Sequence, residues 1–150
     1  MAFGVGAVWN ASMGKFDRAA AIVADRTGVG LPVPGERRTK QQAERLLALT
    51  YDEDPRVRQL AVRNLCPCHV QGDVPEVWDR ILELVDDQDD GVRHDVLHTL
   101  VDGSPRRIRR QVVAALEDLA RDPSIRRARR QSARDAVRRY HRNGQLTPHH

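Results

Sequence analysis

A chain of 150 residues can bury a core without disulfide or metal staples, and 40% hydrophobic residues with only 4% aromatics predict an aliphatic core of Leu, Val, Ile and Ala. The net charge of +4 divides into +2 over residues 1–38, −7 over 39–104 and +9 over 105–150. That asymmetry points to an anionic partner for the C-terminal third or to head-to-tail self-association, although 23 arginines against 2 lysines also fit a compositional bias.

Residues 1–38 read as an N-terminal extension. "MAFGVGAVWNAS" is too short an apolar run, and too poorly flanked, for a signal or a membrane span. Its first ten residues are expected to be loose. Behind Ser12, the residues Met13, Phe16, Ala20 and Val23 share one helical face, and "TGVGLPVPGERR" stops that helix and leads into an extended linker.

From residue 39 to 142 the helical period recurs in pairs. "TKQQAERLLALTY" carries Ala43, Leu46, Leu47 and Thr50 on one face, with Thr39 and Gln42 spaced as a capping box. The second pair opens on Val74, Val77, Trp78, Ile81, Leu82 and Val85, with Asp73 and Glu76 placed for an N-terminal cap. The third opens on Ser104 as N-cap and a stripe of Ile108, Val112, Leu116 and Leu119. Asp54 before Pro55, Asp90 before Gly91 and Asp122 before Pro123 predict capped second helices. Strand patterns are lacking. Residues 143–150 read as a flexible tail ending in His149 and His150.

The second helices are copies of one another. "DEDPRVRQLAVRNL" over "DQDDGVRHDVLHTL" sets Val57 on Val92, Arg58 on Arg93 and Leu65 on Leu100 at a period of 35 residues, and a weaker copy begins 33 residues later at Ile125 and Arg126. Such periods mean stacked hairpins, each too small to bury its own apolar face. An apolar helix ending in "LL", then D-x-D-P-x-V-R-x-x-A, then a second helix resembles HEAT repeats of the short phycobilisome-lyase-like type over about residues 39–140. The resemblance implies an all-α solenoid of three helical hairpins. It makes Asp54, Val57, Arg58, Asp90, Val92 and Arg93 structural repeat residues, with each arginine bracing a neighbouring turn's aspartate. Two departures stand out: Asp95 stands in the middle copy where Leu60 stood, and the third copy is shifted after Arg126, which marks it as an atypical terminal repeat.

Three constellations bear chemistry. Cys66, Cys68, His94 and His98 combine two thiols with imidazoles four residues apart on a helix, a donor set suited to zinc. The competing reading makes Cys66 a small hydrophobe below Leu65 and His69 a loop residue, and it is preferred because C-x-C-H is not a zinc-finger spacing. "HDVLH" has aspartate where a zincin needs glutamate, and "DDQDD" lacks the glycine and distal glutamate of a calcium loop. Arg126, Arg130, Arg134, Arg138 and Arg142 recur every four residues, a like-charge ladder that asks for an anion. An acidic middle and scarce aromatics make nucleic acid the second choice of partner. HEAT-like folds occur in alkylpurine DNA glycosylases, but the sequence offers no matching catalytic carboxylate within an aromatic cleft. The expectation is therefore a non-catalytic cytoplasmic scaffold without cofactor, binding a protein on its concave face through Gln59, Arg63, His94 and His98.

Overall fold

The computed structural model describes residues 14–30, 35–70 and 72–148, Lys15 by its backbone alone. Ser12, Met13, the first ten residues, part of the linker, His149 and His150 lie outside the described residues. A short 3-10 turn, Gly14–Phe16, runs into α1 (Asp17–Thr27). There follow α2 (Lys40–Leu49), α3 (Pro55–Asn64), α4 (Pro75–Glu83), α5 (Asp90–Gly103), α6 (Arg109–Arg121) and α7 (Arg127–Asn143). Among the described residues there is no strand, only a single parallel bridge between Arg38 and Val70.

Successive helices pair as α2 with α3, α4 with α5 and α6 with α7, and the pairs stack into two layers. α2, α4 and α6 form one layer; α3, α5 and α7, the inner helices, form the other. α1 packs on α3 and α2 at the N-terminal end, covering apolar surface a terminal repeat would otherwise expose. Ala19, Val23, Leu46, Leu60, Val62, Ile81, Val96, Leu100 and Leu116 join one continuous aliphatic core.

Local chemistry sets the helix ends. Thr39 accepts the Gln42 N–H while Gln42 Oε1 accepts the Thr39 N–H, a complete capping box. Asp54 accepts the Arg56 N–H ahead of Pro55, and Gly28 (φ 66°) closes α1 in the left-handed region. Four caps differ from expectation. Asp122 does not cap α7, whose N-cap position is Arg126 without a side-chain cap, and accepts instead from the Ser124 N–H and hydroxyl. In the middle copy Asp89, not Asp90, is the cap, accepting the Val92 N–H at 3.0 Å, because the aspartate equivalent to Asp54 lies 35 residues on and Asp90 replaces Pro55. Asp73 caps nothing; its carboxylate takes two hydrogen bonds from Arg107, and α4 starts behind Val74. Ser104 is buried with an unpartnered hydroxyl, and a 3-10 turn, Arg106–Ile108, separates it from α6.

The repeat register is clearest in the turns. Asp52, Asp87 and Asp122 lie 35 residues apart, and each Oδ1 accepts the N–H two residues ahead, at 2.9, 2.8 and 2.8 Å. α3 and α5 begin three residues after that aspartate, whereas α7 begins five after Asp122. The longer turn moves Ile125 off the helix, yet keeps it as buried as Val57 and Val92. The fourth residue of each inner helix is then Arg58, Arg93 or Arg130, and each folds its guanidinium back onto its own turn: Arg58 onto the carbonyls of Asp52 and Glu53, Arg93 onto those of Asp87 and Gln88, Arg130 onto those of Asp122, Pro123 and Ile125. Arg126, aligned with them in sequence, is therefore not the third repeat arginine; Arg130 is.

The ends are tied down. Arg38, 2% exposed, donates to Asn64 Oδ1 at 3.0 Å and to the Gly30 carbonyl at 3.2 Å, and its N–H meets the His69 carbonyl. The end expected to be loose folds back instead, because Leu146 finds an apolar seat. Leu146 is buried, its carbonyl accepts from Arg139 Nε at 2.9 Å, and the Thr147 hydroxyl donates to the Val101 carbonyl at 2.9 Å.

Candidate functional site on the inner helices

The inner helices meet along two seams of different character. Between α3 and α5 the residues of one face meet those of the next in register. A methyl group on Gly91 would come within 2.6 Å of Gln59 Oε1, so the missing side chain lets Gln59 lie against α5. One turn on, Arg63 Nη2 reaches Asp95 Oδ2 at 3.2 Å, and the same guanidinium lies 5.5 Å above the Phe16 ring. Asp95, buried at the place Leu60 holds in α3, is tolerable there because Arg63 pairs with its charge. The seam ends at Cys66, His98 and Asp102, whose ligand atoms all lie within 4.8 Å of one another.

At that end Cys66 Sγ donates to Asp102 Oδ2 at 3.2 Å, and Cys68 Sγ donates to Cys66 Sγ at 3.1 Å. Both cysteines are free thiols, Cys66 buried and Cys68 exposed. Burial, reinforced by the acidic neighbour, pushes the Cys66 thiol well above the ordinary range. Burial and the Arg38 charge push His69 below its usual value. Of the four candidate ligands read from the sequence, Cys66 and His98 come together and Cys68 touches only Cys66; His94, one turn earlier, stays outside the set. Asp102 takes its place, four residues beyond His98 on the same face of α5.

The seam between α5 and α7 is open. α7 packs chiefly on α6, and the separation leaves a groove of about 540 Å³. Leu97, Val101 and Ala128 give it an apolar floor; His94, His98, Arg126, Arg129 and Arg139 line its rim, where Asp135 adds a carboxylate and Pro148 closes one end. His94 and His98 are exposed, whereas Gln59 and Arg63 are engaged within the first seam.

The arginine ladder is largely engaged inside the molecule. Arg126 Nε pairs with Asp90 Oδ2 at 2.9 Å, and Arg129 also pairs with Asp90. Arg130 serves its turn, as above. Arg134 Nη2 donates to the Ala120 carbonyl at 3.1 Å, completing an unpaired end of α6. Arg138 stands 72% exposed with only a 4.0 Å contact to Asp135.

This stacked pair-by-pair arrangement agrees with a family match: the model for HEAT repeats covers residues 43–138. The chain belongs to the HEAT-repeat family. The match is to HEAT repeats in general, and the narrower phycobilisome-lyase-like likeness stays an expectation of the sequence. No curated protein and no solved structure matches the chain. No helix among the described residues is long and apolar enough to cross a membrane.

In this chain the first repeat arginine also acts beyond its own turn. Arg58 Nε and Nη2 form a two-pronged contact with Asp87 Oδ2 and Oδ1, each at 3.0 Å, joining the first repeat to the turn of the second. Arg93 makes no such hydrogen bond to Asp122, staying on its own turn and on Asp90 at 3.5 Å. Asp102 and Arg38 escaped sequence reasoning. For Asp102 a signal existed, because His94, His98 and Asp102 continue one four-residue spacing along α5.

Proposed function

We propose that this HEAT-repeat protein is a non-catalytic binding module that takes a segment of a protein partner into the groove between α5 and α7. HEAT repeats generally serve protein–protein interaction or scaffolding and are generally not enzymes. The observation that carries the reading is the contrast between the seams: α3 and α5 are closed on each other by paired side chains, while the α5–α7 groove keeps an apolar floor and a rim of His94, His98, Arg126, Arg129 and Arg139. An apolar floor under a basic rim suits a segment that carries an apolar residue flanked by carboxylates.

A nucleic-acid or other polyanion contact through Arg126, Arg130, Arg134 and Arg138 is the second reading. It is the weaker because those arginines share no one surface: Arg126 lines the groove, Arg130 folds onto its own turn, and Arg134 and Arg138 lie on the α6 side of α7 beside Glu117. The test is selection of a displayed random-peptide library on the full chain, followed by binding to the Ala128→Glu, Ser132→Trp variant, whose substitutions fall on exposed groove positions of α7. Acidic, apolar-centred peptides that lose binding to a variant with an unchanged unfolding midpoint are expected. Peptides that bind the variant as well as the parent would refute the groove. Binding displaced equally by duplex DNA would favour the second reading.

A further inference from the structure

We propose that Cys66, Cys68, His98 and Asp102 form a binding site for one zinc ion that pins the first repeat to the second. Cys66 and Cys68 come from the end of α3 and the loop after it, and His98 and Asp102 from adjacent turns of α5, so the donors straddle the seam between two repeats. One donor atom each from Cys66, His98 and Asp102 lies within a 4.8 Å span, and Cys68 Sγ adds a second sulfur 3.1 Å from the first. Ligands at about 2.0–2.3 Å from a common centre fit within that span, so Cys66, His98 and Asp102 are placed to share one ion, and a turn of the exposed Cys68 side chain brings its sulfur in as the fourth ligand.

The donor types choose the metal. Two thiolates, an imidazole and a carboxylate are a soft-to-borderline tetrahedral set, matched to zinc rather than to magnesium or calcium, which take oxygen shells. A second observation points the same way: on the adjoining loop His69 Nδ1 is buried without a hydrogen-bond partner, an unused donor beside the cluster. Zinc binding releases the proton Cys66 shares with Asp102 and the one Cys68 shares with Cys66; both go to solvent, and the sulfurs become ligands. The rest of the seam, Gln59 on Gly91 and Arg63 on Asp95, already holds α3 and α5 in register, so the site needs no large rearrangement.

The experiment uses the full chain, reduced and stripped with chelator, titrated with zinc chloride and in parallel with cobalt chloride. One equivalent of zinc, a rise in unfolding midpoint and the thiolate-to-cobalt charge-transfer band are expected. His98→Ala, at an exposed position, and Asp102→Asn should each weaken zinc at least tenfold while keeping the metal-free midpoint. His94→Ala should leave zinc affinity unchanged. Cobalt spectra without thiolate absorption, zinc affinity indifferent to His98→Ala and Asp102→Asn, or affinity that follows His94 instead, would each overturn the site.

Discussion

Asp87 holds two things at once. Its Oδ1 accepts the Asp89 N–H that shapes the turn, and both its oxygens receive the Arg58 guanidinium from the preceding repeat, with the two side chains 8% and 16% exposed. Asp52 makes the same turn, and among the described residues no arginine of a preceding repeat reaches its carboxylate. In urea denaturation, Asp87→Asn is therefore expected to cost about 1.5–3 kcal/mol, the range for hydrogen bonds to charged groups, and Asp52→Asn about 1 kcal/mol. Asp89→Ala should cost about 1 kcal/mol as a lost cap. Asp90→Ala should leave the cap intact, and its effect should appear instead as new exposure of Arg126 and Arg129, read by salt dependence of the unfolding midpoint. Asp73 and Asp122 set an acid limb: hydrogen bonds from Arg107 hold the first carboxyl below the usual carboxylate range, and those from the Ser124 hydroxyl and N–H hold the second. A depressed folded value means stabilisation complete above the ordinary carboxylate value and lost as pH falls through the folded one. Asp73→Asn should flatten that part of the acid limb in unfolding midpoints taken across pH.

α7 shows how far an element can be read from its residues. Its sequence looks like a charged rod, because the two positions it buries completely, Ala133 and Ala136, are alanines that a hydrophobic stripe search passes over. They stand where Ala61 and Asn64 stand in α3 and where Val96 and Thr99 stand in α5, and those four are buried as well. Small residues there let α7 sit close on α6, so Ala136→Leu is expected to destabilise by about 1–3 kcal/mol through overpacking, measured by chemical denaturation. The lengthened turn before α7 is hidden for a different reason. Ile125 imitates Val57 and Val92 in burial, so an alignment on the apolar residue puts the brace on Arg126, while helix position puts it on Arg130. By contrast, α2 and α3 are legible to their caps, since Thr39, Gln42 and Asp54 act through bonds to backbone two or three residues away and Pro55 through its fixed φ in the first turn.

At the scale of the molecule, the solenoid follows from one recurring signature, because repeats bury surface only against neighbours of their own kind. The site is less legible, because its geometry depends on which seam closes. The Cys66–Asp102 contact joins residues 36 apart in sequence and depends on α3 and α5 being zipped along Gln59 and Arg63. The charge division also takes another meaning in three dimensions. Arg126 and Arg129 answer Asp90, and Arg107 answers Asp73, so the basic third neutralises part of the acidic middle within one chain. What joins these scales is the stacking of one repeat on the next, and the Arg58–Asp87 contact is its most local witness. A double-mutant cycle with Arg58→Ala and Asp87→Ala in urea denaturation tests it directly. Stacking predicts a coupling of about 1.5–3 kcal/mol, the range for a charge-assisted hydrogen bond; additivity within about 0.5 kcal/mol would contradict it.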